Sequence, residues 1–475
     1  MVFNSLPFLI FLMLFLPLYF ALKGKSRLWW CLAASYFFYG WWDWRFLGLI
    51  IFSTLIDFTI GAKMAIETEE DQRKKLLWLS VAINLGVLAF FKYFNFFADS
   101  LQEAVSVFGW QLSWNTMHII LPVGISFYTF QSMSYTIDIY RRDLEPEPSF
   151  LRFATYISFF PQLVAGPIVR AKTFLPQLRR DHAFNWDNLY LGLAQMLWGF
   201  FKKVAIADTL ALFVDQSFGS PHHYGSLHLF IGVFFYAVQI YCDFSGYSDI
   251  AIGLARTMGY RFPVNFRTPY FSQDFSEFWT RWHITLSSWL RDYLYISLGG
   301  NRKGYWKTLR NLMITMLLGG LWHGAGWTFV FWGFLHGLYL ILQRMLSPAW
   351  QKLHARLRTP KVLYGGLNIL IVFSLTCLAW IFFRSTSFDR ALIILERMAS
   401  LEGFSWSNVI NKFAVLQGGF LIGILLLVEV SSFQLDYRRR IIYQPVFRAF
   451  SFGALLWLIA LFGTFGANAF IYFQF

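Results

Sequence analysis

The chain has 475 residues, of which 57% are hydrophobic and only 14% are charged. Soluble domains carry about 25% charged residues, so this composition excludes a soluble globular protein and indicates an all-α, polytopic membrane protein. The net charge of +14 does not indicate a nucleic-acid partner, because the basic residues lie in short loops between apolar stretches, where they mark the cytoplasmic side of a membrane.

The apolar stretches predict about eleven or twelve transmembrane helices, since each span needs about 20 residues. We expect a single membrane domain over residues 1–475, with a core at about 118–384 and accessory helices at about 385–475. The three cysteines lie in apolar stretches without metal-ligand spacing, so they predict neither a disulfide framework nor a zinc site.

The N-terminal part begins with an apolar stretch at residues 5–22 that lacks a basic leader and a cleavage site, which predicts an uncleaved first span. The basic turn at 23–27 then indicates a cytoplasmic loop. Asp57 lies inside a later span, where a paired structural role is expected. Further spans are predicted at 28–42, 46–63 and 77 to about 91.

Two segments in the next part depart from plain spans. In the predicted span at 118–140, Pro122 and Gly124 break or kink the entrance of the helix, and Tyr128 and Gln131 are among the side chains that give it a polar lining. The segment FPQLVAGPIVR at 160–170 is too short and too rich in Pro and Gly for a regular span, so we expect a re-entrant segment that lines a cavity.

Charged side chains interrupt the two apolar stretches that follow. Lys202 and Lys203 lie inside the predicted span at 188–215, and Asp243 and Asp249 lie inside the one at 226–257. At 100° per helical residue the two aspartates lie on different faces, so they are not a carboxylate pair, and hydrogen bonds between helices are expected instead.

Residues 258–310 are the least membrane-like long stretch and predict short amphipathic helices at the cytoplasmic interface. Within it, DFSEFWTRWHITLSSWLRD at 274–292 holds His283 among charged residues. The charged residues around His283 form either part of a site or a local ion-pair network.

The stretch NLMITMLLGGLWHGAGWTFVFWGFLHGL at 311–338 is apolar and carries His323 near its middle. An ionisable residue there faces a protein interior or a water-filled cavity, either as a functional group or as a buried histidine bonded to a neighbouring helix. The glycines around it allow close approach of a helix or a thin substrate. A basic loop at 344–361 and spans near 363–383, 413–431 and 447–468 complete the chain.

Three strings resemble the membrane-bound O-acyltransferase (MBOAT) family, in its bacterial polysaccharide-acetylating branch: GGLWHGAGWTFVFWGFLHG, RWHITLSSWLRDYLYISLGGNR and FPQLVAGPIVR. The resemblance runs from about residue 3 to about residue 384. It implies an MBOAT-like helical bundle with re-entrant and interfacial helices, and it implies that His323 is the catalytic histidine, with His283 as a second catalytic residue. A weaker candidate is His336. The remaining donor-binding or channel candidates are Trp279, Arg281, Trp282, Trp322, Gly320, Gly324, Trp327, Tyr128, Gln131 and Asp243.

The function implied by the resemblance is O-acetyl transfer to an exopolysaccharide, with alginate as the first candidate and cellulose or another polymer as alternatives. The implied donor is cytoplasmic acetyl-CoA or another acetyl thioester, used as a substrate, with no bound cofactor and no metal. Implied partners are periplasmic SGNH-like acetyltransferases, and the implied location is the inner membrane. The competing classes are a transporter or channel without covalent chemistry and a scaffold subunit.

Overall fold

The computed structural model describes residues 1–110, 119–164, 166–465 and 470–471. Within these ranges the regular elements are helices, and the prediction of an all-α polytopic membrane protein is confirmed. The chain forms two compact units. Unit 1 comprises residues 1–192 and 251–263, and unit 2 comprises residues 193–250 and 264–475.

The α-helices that begin in unit 1 follow in chain order: α1 (Leu6–Ala21), α2 (Gly24–Asp43), α3 (Leu47–Ile66), α4 (Glu70–Leu88), α5 (Phe94–Ser106), α6 (Ile125–Tyr140), α7 (Phe150–Ser158), α8 (Phe160–Leu163), α9 (Ala171–Leu178) and α10 (Trp186–Phe200). Local sequence explains several of the boundaries. Ser5, for example, caps α1 by accepting a hydrogen bond from the backbone N–H of Phe8, and helix starts favour such a residue.

A polar cluster joins α3 and α4. The Asp57 carboxylate accepts hydrogen bonds from Ser80 Oγ at 2.6 Å and from Asn84 Nδ2 at 2.9 Å, and Ser80 also bonds Thr136 of α6 at 2.9 Å. Buried polar groups need such partners, particularly in a membrane. The structure therefore shows the paired structural role that the sequence predicted for Asp57.

The entrance of α6 is set by Gly124, which has a φ of +77° and directly precedes the helix. A Cβ atom there would lie 2.5 Å from the carbonyl oxygen of Leu163, at the end of α8, so both the left-handed backbone and the close packing require glycine. Residues 160–163 form only this four-residue helix, and Gly166–Arg170 has no regular helix, as predicted. The predicted start of the 118–140 span at residue 118 lies outside the described residues.

Two of the basic segments predicted to be cytoplasmic meet the same loop of unit 1. Asp181 accepts a hydrogen bond from the backbone N–H of Gly24, and Arg27 donates to the carbonyl of His182. Near the end of the preceding helix α9, the Gln177 side chain accepts a hydrogen bond from the backbone N–H of Arg261 at 2.7 Å. The segments at 23–27 and 256–261 therefore lie on the same side of unit 1, which agrees with a common cytoplasmic location.

Unit 2 contains the C-terminal part of α10 and the following helices: α11 (Asp208–Gly219), α12 (Ser226–Thr257, of which residues 251–257 belong to unit 1), α13 (Phe275–Arg281), α14 (Ile284–Trp289), α15 (Tyr305–His323), α16 (Trp327–Leu357), α17 (Lys361–Arg384), α18 (Phe388–Ser400), α19 (Lys412–Ser431), α20 (Tyr437–Tyr443) and α21 (Pro445–Phe462). The predicted end of the last span, at residue 468, lies outside the described residues. The short helices α13 and α14 confirm the short helices that the sequence predicted for residues 258–310.

The two lysines inside a predicted span lie on a π-helical segment, Phe201–Ala207, that joins α10 to α11. Lys203 forms ion pairs with Asp208 and with Asp243 of α12, whereas Lys202 forms an ion pair with Asp249. Each aspartate of α12 thus has its own lysine, as expected for residues on different helical faces. The prediction of contacts between helices at these aspartates is confirmed.

Among the described residues, seven helical runs are long and apolar enough to cross a membrane: Gly24–Ile66, Glu70–Ser106, Ser226–Thr257, Trp327–Leu357, Lys361–Arg384, Lys412–Ser431 and Pro445–Phe462. Leu6–Ala21 is a shorter apolar helix. The protein is therefore a multi-pass membrane protein. The larger predicted number of spans and the single-domain assignment stay predictions.

Candidate active site

His283 occupies a left-handed turn between two short helices. Helix α13 starts at Asp274, whose carboxylate accepts from the backbone N–H of Glu277 at 2.8 Å, and α14 starts directly after His283. The φ angle of His283 is +42°, which is uncommon for a residue with a Cβ atom. The His283 side chain is fully buried within unit 2.

Helices α15 and α16 form an antiparallel hairpin that glycines hold close together. A Cβ atom on Gly320 would lie 2.3 Å from the carbonyl oxygen of Phe329, and one on Gly333 would lie 2.3 Å from that of Met316. Later residues of α15 thus face earlier residues of α16. Only glycine permits such an approach of two helix backbones.

His323 is the last residue of α15, and α16 begins at Trp327 after an extended link that contains Gly324 and Gly326. The apolar pattern of residues 311–338 predicted one membrane stretch, whereas the structure divides it into two helices at this link. The side chain of His323 is 3% exposed. His323 therefore lies at the tip of a hairpin, inside unit 2.

The two histidine rings lie next to each other, with centroids 6.4 Å apart and planes at 61°. The indole of Trp322 packs beside both of them, 5.0 Å from the ring of His323 and 6.0 Å from that of His283. On its other sides His323 contacts Trp332 at 5.0 Å and Phe383 at 5.4 Å. His323 is thus surrounded by aromatic rings from three helices, and one of them, Trp322, also packs against His283.

Burial affects the charge state of this pair. It lowers the pKa of His283 to about 3, because the charged imidazolium loses its hydration in the protein core. His283 is therefore a neutral imidazole at physiological pH. No group of three or more His, Cys, Asp or Glu side chains in the described part of the chain is arranged to hold a metal ion.

Comparison with known protein families shows where this chain belongs. The model of the MBOAT, membrane-bound O-acyltransferase, family matches residues 141–384, a range that includes both histidines. The chain belongs to the membrane-bound O-acyltransferase family.

Relatives of this acyltransferase span most of its length. It is 44% identical to the probable alginate O-acetylase AlgI of Pseudomonas aeruginosa over 414 residues, which are 86% of this chain and 77% of that protein. It is 38% identical to the peptidoglycan O-acetyltransferase of Helicobacter pylori over 433 residues, 83% of this chain and 80% of that protein. It is 26% identical to the teichoic acid D-alanyltransferase of Bacillus subtilis over 291 residues, 58% of this chain and 71% of that protein. The chain is thus an acyltransferase.

The candidates for binding the acyl donor near position 280 differ in how they contact the surroundings of the histidine pair. Trp282 is fully buried, and its ring lies 5.1 Å from that of Phe266, which also faces His283. Trp279 contacts Trp332, one of the rings around His323, at 5.9 Å. Arg281, by contrast, directs its guanidinium to Glu277 at 2.6 Å, which agrees with the local ion-pair network considered as an alternative.

The candidate glycines act in packing. The space beside Gly320 is filled by the backbone of α16, and a Cβ atom on Gly324 would lie 2.2 Å from the ring of Phe329. The structure therefore explains both glycines through the hairpin, whereas a role in a substrate channel stays a prediction. Trp327 is 55% exposed at the start of α16, and its contribution to the donor-binding site stays a prediction.

Asp243, Tyr128 and Gln131 are the remaining candidates, and all three are buried. Asp243 is bound to Lys203 and accepts a hydrogen bond from the backbone N–H of Ile471 at 2.9 Å, so its carboxylate has structural partners. Tyr128 and Gln131 are buried in α6 of unit 1. Their proposed contribution to a substrate channel stays a prediction.

Sequence reasoning missed two residues that the structure brings to the site. Asn265 hydrogen-bonds His283 at 3.1 Å, and Trp332 lies between the rings of His323 and His336, 5.0 and 4.7 Å away. Asn265 belongs to an irregular segment with no local motif, so nothing in its neighbourhood indicated a function. Trp332 was one of many tryptophans, but its position four residues before His336 on α16 placed the two on one helical face, which was a usable signal.

Proposed function

We propose that this acyltransferase is the membrane-embedded O-acetyltransferase of an exopolysaccharide acetylation system, with alginate as the first candidate polymer and cellulose or another polysaccharide as alternatives. The observation that carries the proposal is the pair of buried histidine rings, His283 and His323, with centroids 6.4 Å apart. The names of two of the relatives, a probable alginate O-acetylase and a peptidoglycan O-acetyltransferase, support acetyl transfer to a polymer.

Two routes of acetyl transfer fit a histidine at this position. In the first, His323 takes the proton of the acceptor hydroxyl while the hydroxyl oxygen attacks the thioester carbonyl. The C–S bond then breaks, and the departing thiolate takes the proton from the imidazolium. In the second, a nitrogen of His323 attacks the thioester, releases the thiol and forms an acyl-imidazole, which the hydroxyl then opens. Both routes end in an ester and a free thiol.

The surroundings of His323 support this chemistry. The rings of Trp322, Trp332 and Phe383 enclose it, and the side chain is almost completely buried. An enclosed site keeps water from a thioester or an acyl-imidazole and so favours transfer over hydrolysis. His283 assists by orienting the donor or by helping the proton transfer.

We propose that the donor is acetyl-CoA or another acetyl thioester and that it enters from the cytoplasm. The basic segments at 23–27, 256–310 and 344–361 suit an anionic donor and the cytoplasmic side. His323 ends α15 about 20 Å beyond Arg310 at 1.5 Å per residue, which is within the apolar thickness of about 30 Å. This position suits passing a small acetyl group outward while the bulky CoA stays in the cytoplasm.

The proposed location is the inner membrane of a Gram-negative cell, with the lipid bilayer as the surrounding medium. Periplasmic SGNH-like acetyltransferases are the proposed partners that complete transfer to the sugar. No part of the proposal involves nucleic acid.

The test uses the purified full-length protein in lipid nanodiscs with radiolabelled acetyl-CoA. We expect release of CoA and transfer of label, with both lost in His323→Ala and retained in the control His223→Ala, which changes an exposed histidine. Label that stays on the protein after denaturation indicates the acyl-imidazole route. Full activity of a well-folded His323→Ala protein would disprove the catalytic assignment. A separate experiment identifies the acceptor: deletion of the gene, followed by analysis of which secreted polymer loses acetate.

A further inference from the structure

We propose that Asn265 is a positioning residue that holds His283 in the tautomer with the proton on Nδ1, so that Nε2 is the nitrogen that accepts a hydrogen bond in the site. The effect of Asn265 on turnover rests on the proposed function. The tautomer itself is a property of the folded chain and can be measured without any reaction.

Asn265 holds the segment around His283 with its backbone as well as its side chain. Its carbonyl oxygen accepts from the backbone N–H of Ile284 at 2.9 Å, and two residues away the N–H of Arg267 donates to the carbonyl of Arg281 at 3.0 Å. The segment at 265–267 therefore runs antiparallel to the turn at 281–284. This backbone pairing brings the Asn265 side chain to the His283 ring.

The hydrogen bonds of the Asn265 side chain identify which atom is oxygen. The backbone N–H of Thr285 lies 3.2 Å from Oδ1, and a backbone N–H can only donate, so the atom at this position has to be the carbonyl oxygen. The Thr285 hydroxyl also donates to Oδ1, at 2.9 Å. On the opposite side the Asn265 amide nitrogen donates to Ser248 Oγ at 3.2 Å.

The tautomer of His283 follows from this assignment. Nδ1 of His283 lies 3.1 Å from Asn265 Oδ1, which is an acceptor and has no proton to donate. Nδ1 therefore carries the proton in the hydrogen bond. A neutral imidazole has one N–H, so Nε2 then carries the lone pair.

The backbone of His283 supports a role in function. A φ of +42° lies in the left-handed region, which is unfavourable for a residue with a Cβ atom, and such strain persists where surrounding contacts hold it. Asn265 supplies those contacts at three successive residues, His283, Ile284 and Thr285. The strained turn and the directed ring are thus maintained by the same asparagine.

The neutral state of His283 is consistent with this arrangement. The rings that face His283 come from Phe244 and Trp322, at 4.5 and 6.0 Å, and from Phe266 and the titratable His323, at 6.2 and 6.4 Å. Burial lowers the pKa of His283 to about 3, so one ring nitrogen is unprotonated at physiological pH and the choice between the two nitrogens is decided by Asn265.

The first test reads the tautomer by solid-state NMR of the full chain in lipid, with nitrogen-15 in the histidine rings. The chain has nine histidines, and the signal of His283 is assigned by its loss in His283→Asn. We expect a neutral ring protonated on Nδ1 in the wild type, retained in the control Thr285→Val, which removes a different hydrogen bond to the same oxygen. In Asn265→Leu we expect the Nε2-protonated form or a mixture. A wild-type ring protonated on Nε2, or an unchanged ring in Asn265→Leu, would overturn the proposal.

The second test measures turnover with acetyl-CoA. We expect Asn265→Leu to lower kcat by about 10- to 100-fold with little change in KM, as for other changes that misorient a histidine. Asn265→Asp keeps an acceptor for Nδ1, so it should retain more activity than Asn265→Leu. Its carboxylate would favour the imidazolium and move the acid limb of the pH profile to higher pH. Equal losses in both variants with an unshifted profile would indicate a purely structural asparagine and contradict the proposal.

These outcomes separate the two proposals. If the NMR result is as expected but no acetyl transfer depends on His323, the proposed function fails and the role of Asn265 in setting the tautomer stands. If acetyl transfer depends on His323 but the tautomer does not respond to Asn265, the proposed function stands and this inference fails. Since the NMR measurement needs no substrate, a variant with little activity still gives a decisive result.

Discussion

The imidazole rings of His283 and His323 lie with their centroids 6.4 Å apart, one on a strained turn between α13 and α14 and the other at the tip of the α15–α16 hairpin. Each ring is held by its own local structure, so the distance between them depends on two independent packing arrangements. Changes that disturb either arrangement are expected to affect acyl transfer.

Replacing His283 should reduce turnover more than folding. We expect His283→Asn to lower kcat for acetyl-CoA by about 100-fold, since a positioned imidazole that helps proton transfer typically contributes 10²–10⁴-fold. Asparagine tolerates the left-handed backbone, so the variant separates loss of the ring from strain at the turn. The measurement is steady-state kinetics, together with size-exclusion chromatography of the detergent-solubilised protein. Normal donor binding and normal turnover would refute a role for His283.

Adding a methyl group at Gly320 should destabilise unit 2. In Gly320→Ala the new Cβ would meet the backbone of α16, at Phe329 and Gly333, and overpacking of this kind costs about 1–3 kcal/mol. The control is Gly423→Ala in α19, where a Cβ has open space and alanine favours the helix. Thermal melting in detergent should show a lower Tm for Gly320→Ala only. An equal Tm for the two variants would mean that the hairpin packs less closely than described.

Removing Lys203 should destabilise the protein strongly. Lys203→Met leaves the carboxylates of Asp208 and Asp243 buried without their cation, and breaking a buried ion pair in this way costs about 3–5 kcal/mol. Arg45→Met is the control, because Arg45 forms an exposed ion pair with Asp43 and should matter little. We expect loss of folded protein for Lys203→Met in the same melting assay. A wild-type Tm would show that these aspartates are accommodated without the lysine.

Cysteine labelling should place the basic loops on the cytoplasmic side. Suitable labelling positions are the exposed residues Lys303 and Arg356. The neighbouring Gly304 is less suitable, because its φ of +94° would strain a cysteine there. In a background without the native cysteines, Lys303→Cys and Arg356→Cys should react with an impermeant thiol reagent only in inverted membrane vesicles. Labelling in intact spheroplasts would reverse the proposed direction of acetyl transfer.

Several features of the site could be predicted from local sequence. The apolar string around His323 indicated a histidine buried in the protein interior, because lipid tolerates such a side chain poorly. Pro122 and Gly124 indicated the late start of α6 because neither residue suits a helix interior there. The division of residues 311–338 into two helices could not be predicted in this way, since glycines in an apolar run do not by themselves reveal whether a helix continues or ends.

The sequence by itself determined that the protein is an α-helical, multi-pass membrane protein and, through its motif, which histidine is the leading catalytic candidate. Both conclusions follow from the composition and from residues that are neighbours along the chain, so hydropathy and local motifs are sufficient to reach them. Only the tertiary structure decided that His283 and His323 face each other, that Gly320 is needed for helix packing, and that Asn265 holds the His283 ring. These relationships arise from contacts between residues distant in sequence, whose energies depend on packing and on hydrogen-bond direction in three dimensions, so no local pattern specifies them.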